Sequence, residues 1–572
     1  MTKSRTAAFA LSLMAMVFLG TGFAADPADS TKAAADVAAQ IAALKAQLAA
    51  QQKQIDQLQA ALQTEMRMLD QAAANTAAPV APAAAPLGAP TRAAGLGEMA
   101  STTPMVPAAP AAVTSPRIFT PQAAPQTADG QAASPLQVKI GDTTIMPVGF
   151  MDATAYWRST DAGGSIGSNF GSIPYNNAAT SHLSEFRFSP QNSRIGFRVD
   201  GNWKGAHFLA YNEMDFLGQS GAVNLSVTNG AFVPRLRLFW VDVRKGQWEM
   251  LAGQSWSMLT PNRSGISALP GDVFYSQATD VNYVAGLTWT RQPGVRFLYH
   301  PSDQVTLGLS LENPDAYVGG SGGGPSITFP SALSSLAGTQ LDNATNVQTT
   351  PNLHPDIIVK AAFDPSSHVH FEFAGIERTF KLWNTTTGTP TSGETSTKVG
   401  GGGAFNGNFE IFPKFRLVTN NYWSDGGGRY LFGQAPDLIV RSDGSISPIH
   451  SGGFVEGFEA TVNKTLLYGY YSAIYIGRDT ALDANGTSLI GYGYHGSANS
   501  QNKDVQEITF GFNQTLWKDA KYGALNLMGQ YEYLLRSPWY WAAGVAGGKN
   551  THDDTIYLNL RYSLPGGVPS MK

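Results

Sequence analysis

Along "QVTLGLSLE", Gln304 to Glu312, the apolar residues Val305, Leu307, Leu309 and Leu311 take every second position, with Thr306, Gly308, Ser310 and Glu312 between them. A period of two marks a strand whose two faces meet different surroundings. The same beat returns along the chain. Ile357, Val359, Ala361 and Phe363 alternate with Asp356, Ile358, Lys360 and Ala362, and Val369, Phe371 and Phe373 alternate with His370, Glu372 and Ala374. Ile508, Phe510 and Phe512 oppose Glu507, Thr509 and Gly511. Ile556, Leu558, Leu560, Tyr562 and Leu564 oppose Tyr557, Asn559, Arg561 and Ser563. A sandwich in water and a barrel in a membrane both produce such strands.

The connections separate the two, because outer-membrane barrels alternate short periplasmic turns with long external loops. Short turns are predicted at Asp200–Gly205, Arg244–Gln247, Pro301–Asp303, Asp364–Ser367, Pro413–Lys414, Asn463–Lys464 and Trp517–Tyr522. Between them run Gly-rich polar segments such as "STDAGGSIGSNFGSIPYNNAATS". Seven short turns and eight long loops predict an all-β fold over residues 137–572, a 16-stranded antiparallel transmembrane β-barrel with both ends in the periplasm. Trp203, Trp248 and Trp517 sit beside short turns, where an interfacial aromatic girdle belongs. The run "FRFSPQNSRIG" shifts phase: Phe186 and Phe188 point outward on even numbers, Ile195 and Phe197 on odd ones. A bulge is expected at Pro190.

Ahead of the barrel the pattern changes twice. Lys3 and Arg5, an apolar run from Ala7 to Leu19, and the small residues Gly22 and Ala24 predict a signal peptide over residues 1–24. From 31 to 71 apolar positions follow a heptad. Ile41, Leu48, Ile55, Leu62 and Leu69 fall at a; Val37, Leu44, Gln51, Leu58 and Glu65 fall at d. This α-helical coiled coil is expected to self-associate in the periplasm, chiefly through Ile41, Leu44, Leu48, Ile55, Leu58 and Leu62. Its mixed a positions do not choose between dimer and trimer. Residues 72–136, rich in Ala and Pro, form a linker.

Composition narrows the class. Only 14% of the 572 residues are charged, where about a quarter is usual for a soluble protein. A net charge of −4 and the lack of a basic tail give no sign of nucleic acid. The chain has no Cys, so disulfides, thiolate metal sites and cysteine nucleophiles are excluded. Beyond the signal peptide no apolar stretch approaches the ~20 residues of a membrane helix.

Charge on the strands points inward. In "NSRIGFRVDG", Arg194 and Arg198 share one face and Ile195, Phe197 and Val199 the other. In "PRLRLFWVDV", Arg235 and Arg237 are assigned opposite Leu236, Leu238 and Trp240. An Arg facing lipid at mid-membrane costs about 2 to 4 kcal/mol, so these cations are expected to face a wet lumen. Arg291, Arg296, Lys360, Arg378, Arg478, Arg536 and Arg561 are further candidates. Glu213, Asp215, Glu372, Glu507 and Glu532 supply the opposite charge. Arg194, Arg198, Arg235, Arg237, Arg291, Arg296, Glu213 and Asp215 are the expected pore lining, which would focus small anions. Against that stands a salt-bridge network that only stiffens the wall.

The heptad helix after a signal peptide, together with "NSRIGFRVDG", "AYNEMDF", "PRLRLFWVDV" and "LAGQSWSML", resembles the DcaP-like outer-membrane porins over the coiled coil and Gly141 to about His300. The resemblance implies a homotrimer of sixteen-stranded barrels in the outer membrane, a periplasmic coiled coil, and passage of small anions such as dicarboxylates. It also implies an inward-folded third external loop, Met258–Asp280 here. Its motif arginines are Arg194, Arg198, Arg235 and Arg237. An enzyme is not expected. The nine His residues form no spacing tied to a nucleophile, "GGSGGGP" opens no helix to make a phosphate loop, no twelve-residue calcium loop occurs, and no cofactor or metal is called for. The alternative is a non-conducting tether or adhesin whose coiled coil grips the cell wall.

Overall fold

The computed structural model describes residues 135–218, 232–268, 279–320, 326–344, 350–385, 392–497, 501–541 and 551–565. The signal peptide, the heptad segment and nearly all of the linker lie outside them. Sixteen strands form one closed antiparallel barrel: β1 (Thr143–Arg158), β2 in two segments (Glu185–Ser189 and Arg194–Trp203), β3 (Ala206–Gly218), β4 (Val233–Lys245) and β5 (Trp248–Trp256). Then come β6 (Arg291–Ser302), β7 (Val305–Glu312), β8 (Asp356–Ser366), β9 (Val369–Asn384), β10 (Glu394–Phe412) and β11 (Phe415–Asp425). β12 (His450–Val462), β13 (Thr465–Ile476), β14 (Asn502–Asp519), β15 (Gly523–Pro538) and β16 (Thr551–Ser563) complete the wall. Each strand pairs with the next, and β1 pairs with β16 from Phe150↔Ser563 to Arg158↔Thr555, which closes the ring.

The alternation read from the chain is the alternation of the wall. On β7, Leu307 and Leu309 are exposed on the outside while Thr306, Ser310 and Glu312 are buried inside; on β16, Ile556, Leu558 and Leu560 point out and Thr555, Tyr557, Asn559 and Arg561 point in. The seven short turns fall where the polar breaks predict, and Trp203, Trp248 and Trp517 stand exposed at the short-turn rim.

Two bulges reset the phase. Between Phe150↔Arg194 and Thr154↔Ser189, β2 holds one residue more than β1, so the slip expected at Pro190 is present and both aromatic sets face outward. The second bulge overturns part of the assignment on β4. Glu213 pairs with Leu238 but Met214 pairs with Leu236, leaving Arg237 as the extra residue. Beyond it the faces exchange. Leu238 and Trp240 are buried inside with Arg237, and Phe239 and Val241 take the outer surface. No Pro or Gly marks this bulge in the sequence.

The upper interior is not empty. Apolar residues of the long loops, among them Phe170, Ile173, Leu259, Val318, Leu333, Leu431, Leu438 and Ile439, pack with inward wall residues such as Leu298, Ile358, Phe380 and Ile474 in one buried cluster. Apolar area removed from water at about 25 cal/mol per Å² fixes these loops against the wall.

Candidate functional site

The described parts of the connection from β5 to β6, residues 257–268 and 279–290, lie inside the barrel. The first part is bound along β7 to β9. The Met258 amide donates to Glu312 Oε1 at 2.8 Å and the Asn262 amide to Glu372 Oε1 at 3.3 Å, while Lys360 Nζ donates to the Thr260 carbonyl at 2.8 Å. Arg263 forms two 2.8 Å bonds to Glu459 on β12. The far end reaches further round. The Thr288 amide donates to Asn420 Oδ1 on β11, the Ala285 amide to Glu507 Oε2 on β14 at 2.6 Å, and Asp280 accepts from the Ser168 amide, whose hydroxyl in turn meets Glu532 on β15. Gly286, at φ +84°, has no room for a side chain, since a Cβ would strike the Ala473 and Phe454 carbonyl oxygens. Gly308, in the first stretch quoted, is flat for a similar reason: Met258 and Ile266 of the loop press on it. A backbone amide left without its buried carboxylate loses about 1–3 kcal/mol, so this set of anchors determines where the loop lies.

Beside the loop, on β2 to β4, charges meet. Arg237 donates to Glu213 at 2.7 Å and to Asp215 at 2.8 Å, Arg235 grips Asp215 at 2.7 Å, and Arg194 faces Glu213 at 3.5 Å. Tyr283 of the loop accepts from Arg194 at 3.1 Å and from Arg237 at 3.5 Å. Arg237 and Arg291 each lie 5.7 Å from the centroid of the Trp256 ring. Arg291 has no ion pair or hydrogen bond among the described residues, and its Nη1 is sealed from water. Four guanidiniums therefore stand against two carboxylates, an excess of two positive charges. Arg235 is the open member, with 39% of its side chain exposed against 1% for Arg194 and Arg237. Trp256, Tyr283 and Trp289 meet edge to face next to these cations, and Trp289 stacks on Phe432 at 4.5 Å.

No family model and no curated protein matches this chain. Among solved structures it is similar to the outer-membrane channel DcaP of Acinetobacter baumannii, at 16% identity and a TM-score of 0.52, covering 74% of this chain and 99% of that one. The barrel has the DcaP fold. The outer-membrane protein OmpT of Vibrio cholerae aligns over 75% of this chain and 99% of its own at 10% identity and TM-score 0.39. An anion-selective porin of Comamonas acidovorans aligns over 74% and 100% at 12% and 0.38.

On this DcaP-like frame the eight residues chosen from sequence fall into two groups. Arg194, Arg235, Arg237, Arg291, Glu213 and Asp215 come together around Tyr283 and Trp256. Arg198 and Arg296 do not join them. Arg198 pairs within its own strand with Asp200 at 2.6 Å, and buried Arg296 donates to the Trp256 carbonyl at 2.7 Å. Of the other inward candidates, Lys360, Glu372, Glu507 and Glu532 hold loops, Arg561 pairs with Asp152 at 2.7 Å, and Arg536 ties the Ile173 carbonyl of the first loop to β15. Arg478 lies beyond the end of β13, exposed, against Trp539.

Sequence reasoning missed Tyr283, Trp256, Trp289 and Phe432. It named Arg378 but missed the buried hub in which Arg378 binds Asp356 and Asp437 at 3.0 Å and Arg429 reaches Asp315, fastening Asp315 and Asp437 of two long loops to the wall. A signal existed: "YLFGQAPDLIV" is too apolar for a loop in water. Away from the strands, burial and the neighbouring Asp315 side chain push the Asp342 carboxyl up to about 7.

Proposed function

We propose that the protein is an outer-membrane porin, a passive diffusion channel for small solutes that prefers anions such as dicarboxylates and works as a homotrimer. The observation that carries this reading is the excess of two positive charges around Tyr283 and Trp256, beside an inward loop held on all sides. A cation excess in a confined, low-dielectric passage raises the local anion concentration. Arg194, Arg235, Arg237 and Arg291 attract the solute. Glu213 and Asp215 hold three of these in place. The described fold is shared with a protein characterised as an outer-membrane channel. The heptad segment would then sit in the periplasm and join the copies.

One observation favours the second reading, a non-conducting tether or adhesin: the long loops share an apolar core across the upper interior. Single-channel recording of the purified full-length protein in planar bilayers separates the two. The porin reading expects discrete conductance steps, a reversal potential on the anion side in a salt gradient, and faster liposome swelling in succinate than in a diamine of similar size. A protein that inserts as a folded barrel but gives no steps overturns it in favour of the tether.

A further inference from the structure

The short-turn end of the barrel carries a charge pattern separate from the lumen. Lys204, Lys245, Lys414, Lys464, Lys518 and Lys521 lie in or beside the turns that join β2 to β3, β4 to β5, β10 to β11, β12 to β13 and β14 to β15. Five of the seven short turns thus hold at least one, and all six side chains are exposed. Most of the lumenal arginines form ion pairs with carboxylates; these lysines do not. None forms an ion pair among the described residues, where the lysine pairs are those of Lys360 and Lys503. Carboxylates stand close by but are committed elsewhere. Glu410 accepts from the Lys414 backbone amide and pairs with His368, Asp519 accepts from the Lys521 and Tyr522 amides, and Asp364 holds His370 and the Gly265 amide.

Two of these cations stand at a lipid boundary. Lys204 Nζ sits 4.5 Å over the Trp203 ring and Lys521 Nζ 5.2 Å over the Tyr522 ring, so each ammonium shares the depth of a girdle aromatic, the depth of lipid headgroups. Lys204 (φ 49°) and Lys414 (φ 69°) also occupy left-handed backbone, which Gly or Asn fills with less strain. A lysine in such a strained position points to a use for its charge.

We propose that these six lysines form a docking surface for the phosphate headgroups of anionic phospholipids in the leaflet at the short-turn end. A flexible, unpaired ammonium suits a phosphate that has no fixed address, and a negative leaflet attracts basic groups just outside the apolar band. The test uses full-length protein folded into phosphatidylcholine vesicles with or without phosphatidylglycerol, following thermal unfolding by the loss of the compact barrel's gel mobility. Phosphatidylglycerol is expected to raise the wild-type midpoint. The Lys204→Gln, Lys245→Gln, Lys414→Gln, Lys464→Gln variant should match wild type in phosphatidylcholine yet lose more than half of that rise. The control Lys398→Gln, Lys503→Gln, at the opposite end, should keep it. If the fourfold variant folds poorly, Lys→Arg at the same four positions should retain the rise. The proposal is overturned if the fourfold Gln variant keeps the full rise, or if inorganic phosphate reproduces it in phosphatidylcholine, which would mean an ion site. Loss of binding to isolated cell-wall sacculi with the phosphatidylglycerol effect intact would also overturn it.

Discussion

Arg291 offers the sharpest perturbation of the lumen, because it is the cluster's cation without a carboxylate partner among the described residues. Arg291→Gln removes one of the two excess charges and leaves no buried acid uncompensated, so folding should be unchanged. An ion in the passage is taken to stand about 6 Å from the Arg291 guanidinium. Coulomb's law then gives about 0.7 kcal/mol in a water-like dielectric, favourable for an anion and unfavourable for a cation. The two sum to about 1.4 kcal/mol, roughly a tenfold change in the anion-to-cation ratio. Reversal potentials of single channels in a low-salt gradient measure this ratio directly. The effect should vanish near 1 M salt, where screening acts within about 3 Å. Arg237→Gln is the contrast. It strips a partner from both Glu213 and Asp215, and breaking a buried ion pair typically costs about 3–5 kcal/mol, so folding yield should drop before selectivity can be read. An Arg291→Gln channel that folds normally and keeps the wild-type reversal potential at low salt would refute the placement of Arg291 on the conducting path.

Leu309→Arg puts a charge on the lipid face of β7 and should lower barrel stability in lipid by about 2–4 kcal/mol, seen as a reduced folded fraction in urea titrations, whereas Leu309→Met should be neutral. Gly286→Val would drive a side chain into the Ala473 and Phe454 carbonyls and should dislodge the inward loop, with larger and noisier conductance steps and a barrel that still folds. The Asp342 carboxyl is raised from 3.8 to about 7, so the stabilisation its protonated form gives the residues around it is complete below about 4 and lost as pH rises toward 7. Hydrogen exchange at the Val318 amide, bonded to the Asp342 carbonyl, should accelerate between about pH 4 and 7 beyond the intrinsic trend, by roughly up to tenfold after allowance for partial exposure, and Asp342→Asn should remove the excess.

The wall was legible because each strand solves a local problem. Leu309 and Ser310 face different media, and that demand repeats at period two whatever the rest of the chain does. Pro190 was legible as a bulge because proline cannot donate to a ladder. The bulge at Arg237 was not, because the backbone there follows from pairing with Glu213 and Met214 and leaves no mark in residue type. The arginine cluster was half legible. An inward Arg is required by lipid, but whether it meets water, a carboxylate or a carbonyl depends on residues far off in sequence. Glu372 serves an amide 110 positions away and Glu507 one 222 positions away, and no local pattern distinguishes such anchors from carboxylates that face solvent. The aromatic series of Trp256, Tyr283, Trp289 and Phe432 belongs to the same class, assembled from two loops and a strand end.

The pairing of β1 with β16 has a consequence for how the chain folds. As the chain emerges, β1 is among the first parts of the wall to exist, and the edge it offers to β16 stays bare until the last strand is made. A bare edge is a template for pairing with any other strand, including one from a second copy. The ring cannot close gradually: every intermediate is an open sheet with two such edges, and the closing contact spans almost the whole barrel sequence, the slowest kind to form. A chain cut short before Thr551 is therefore a two-edged sheet and not a slightly smaller barrel. Topology itself checks that translation was completed, and the cell must keep the unfinished chain apart from its siblings until that check is passed.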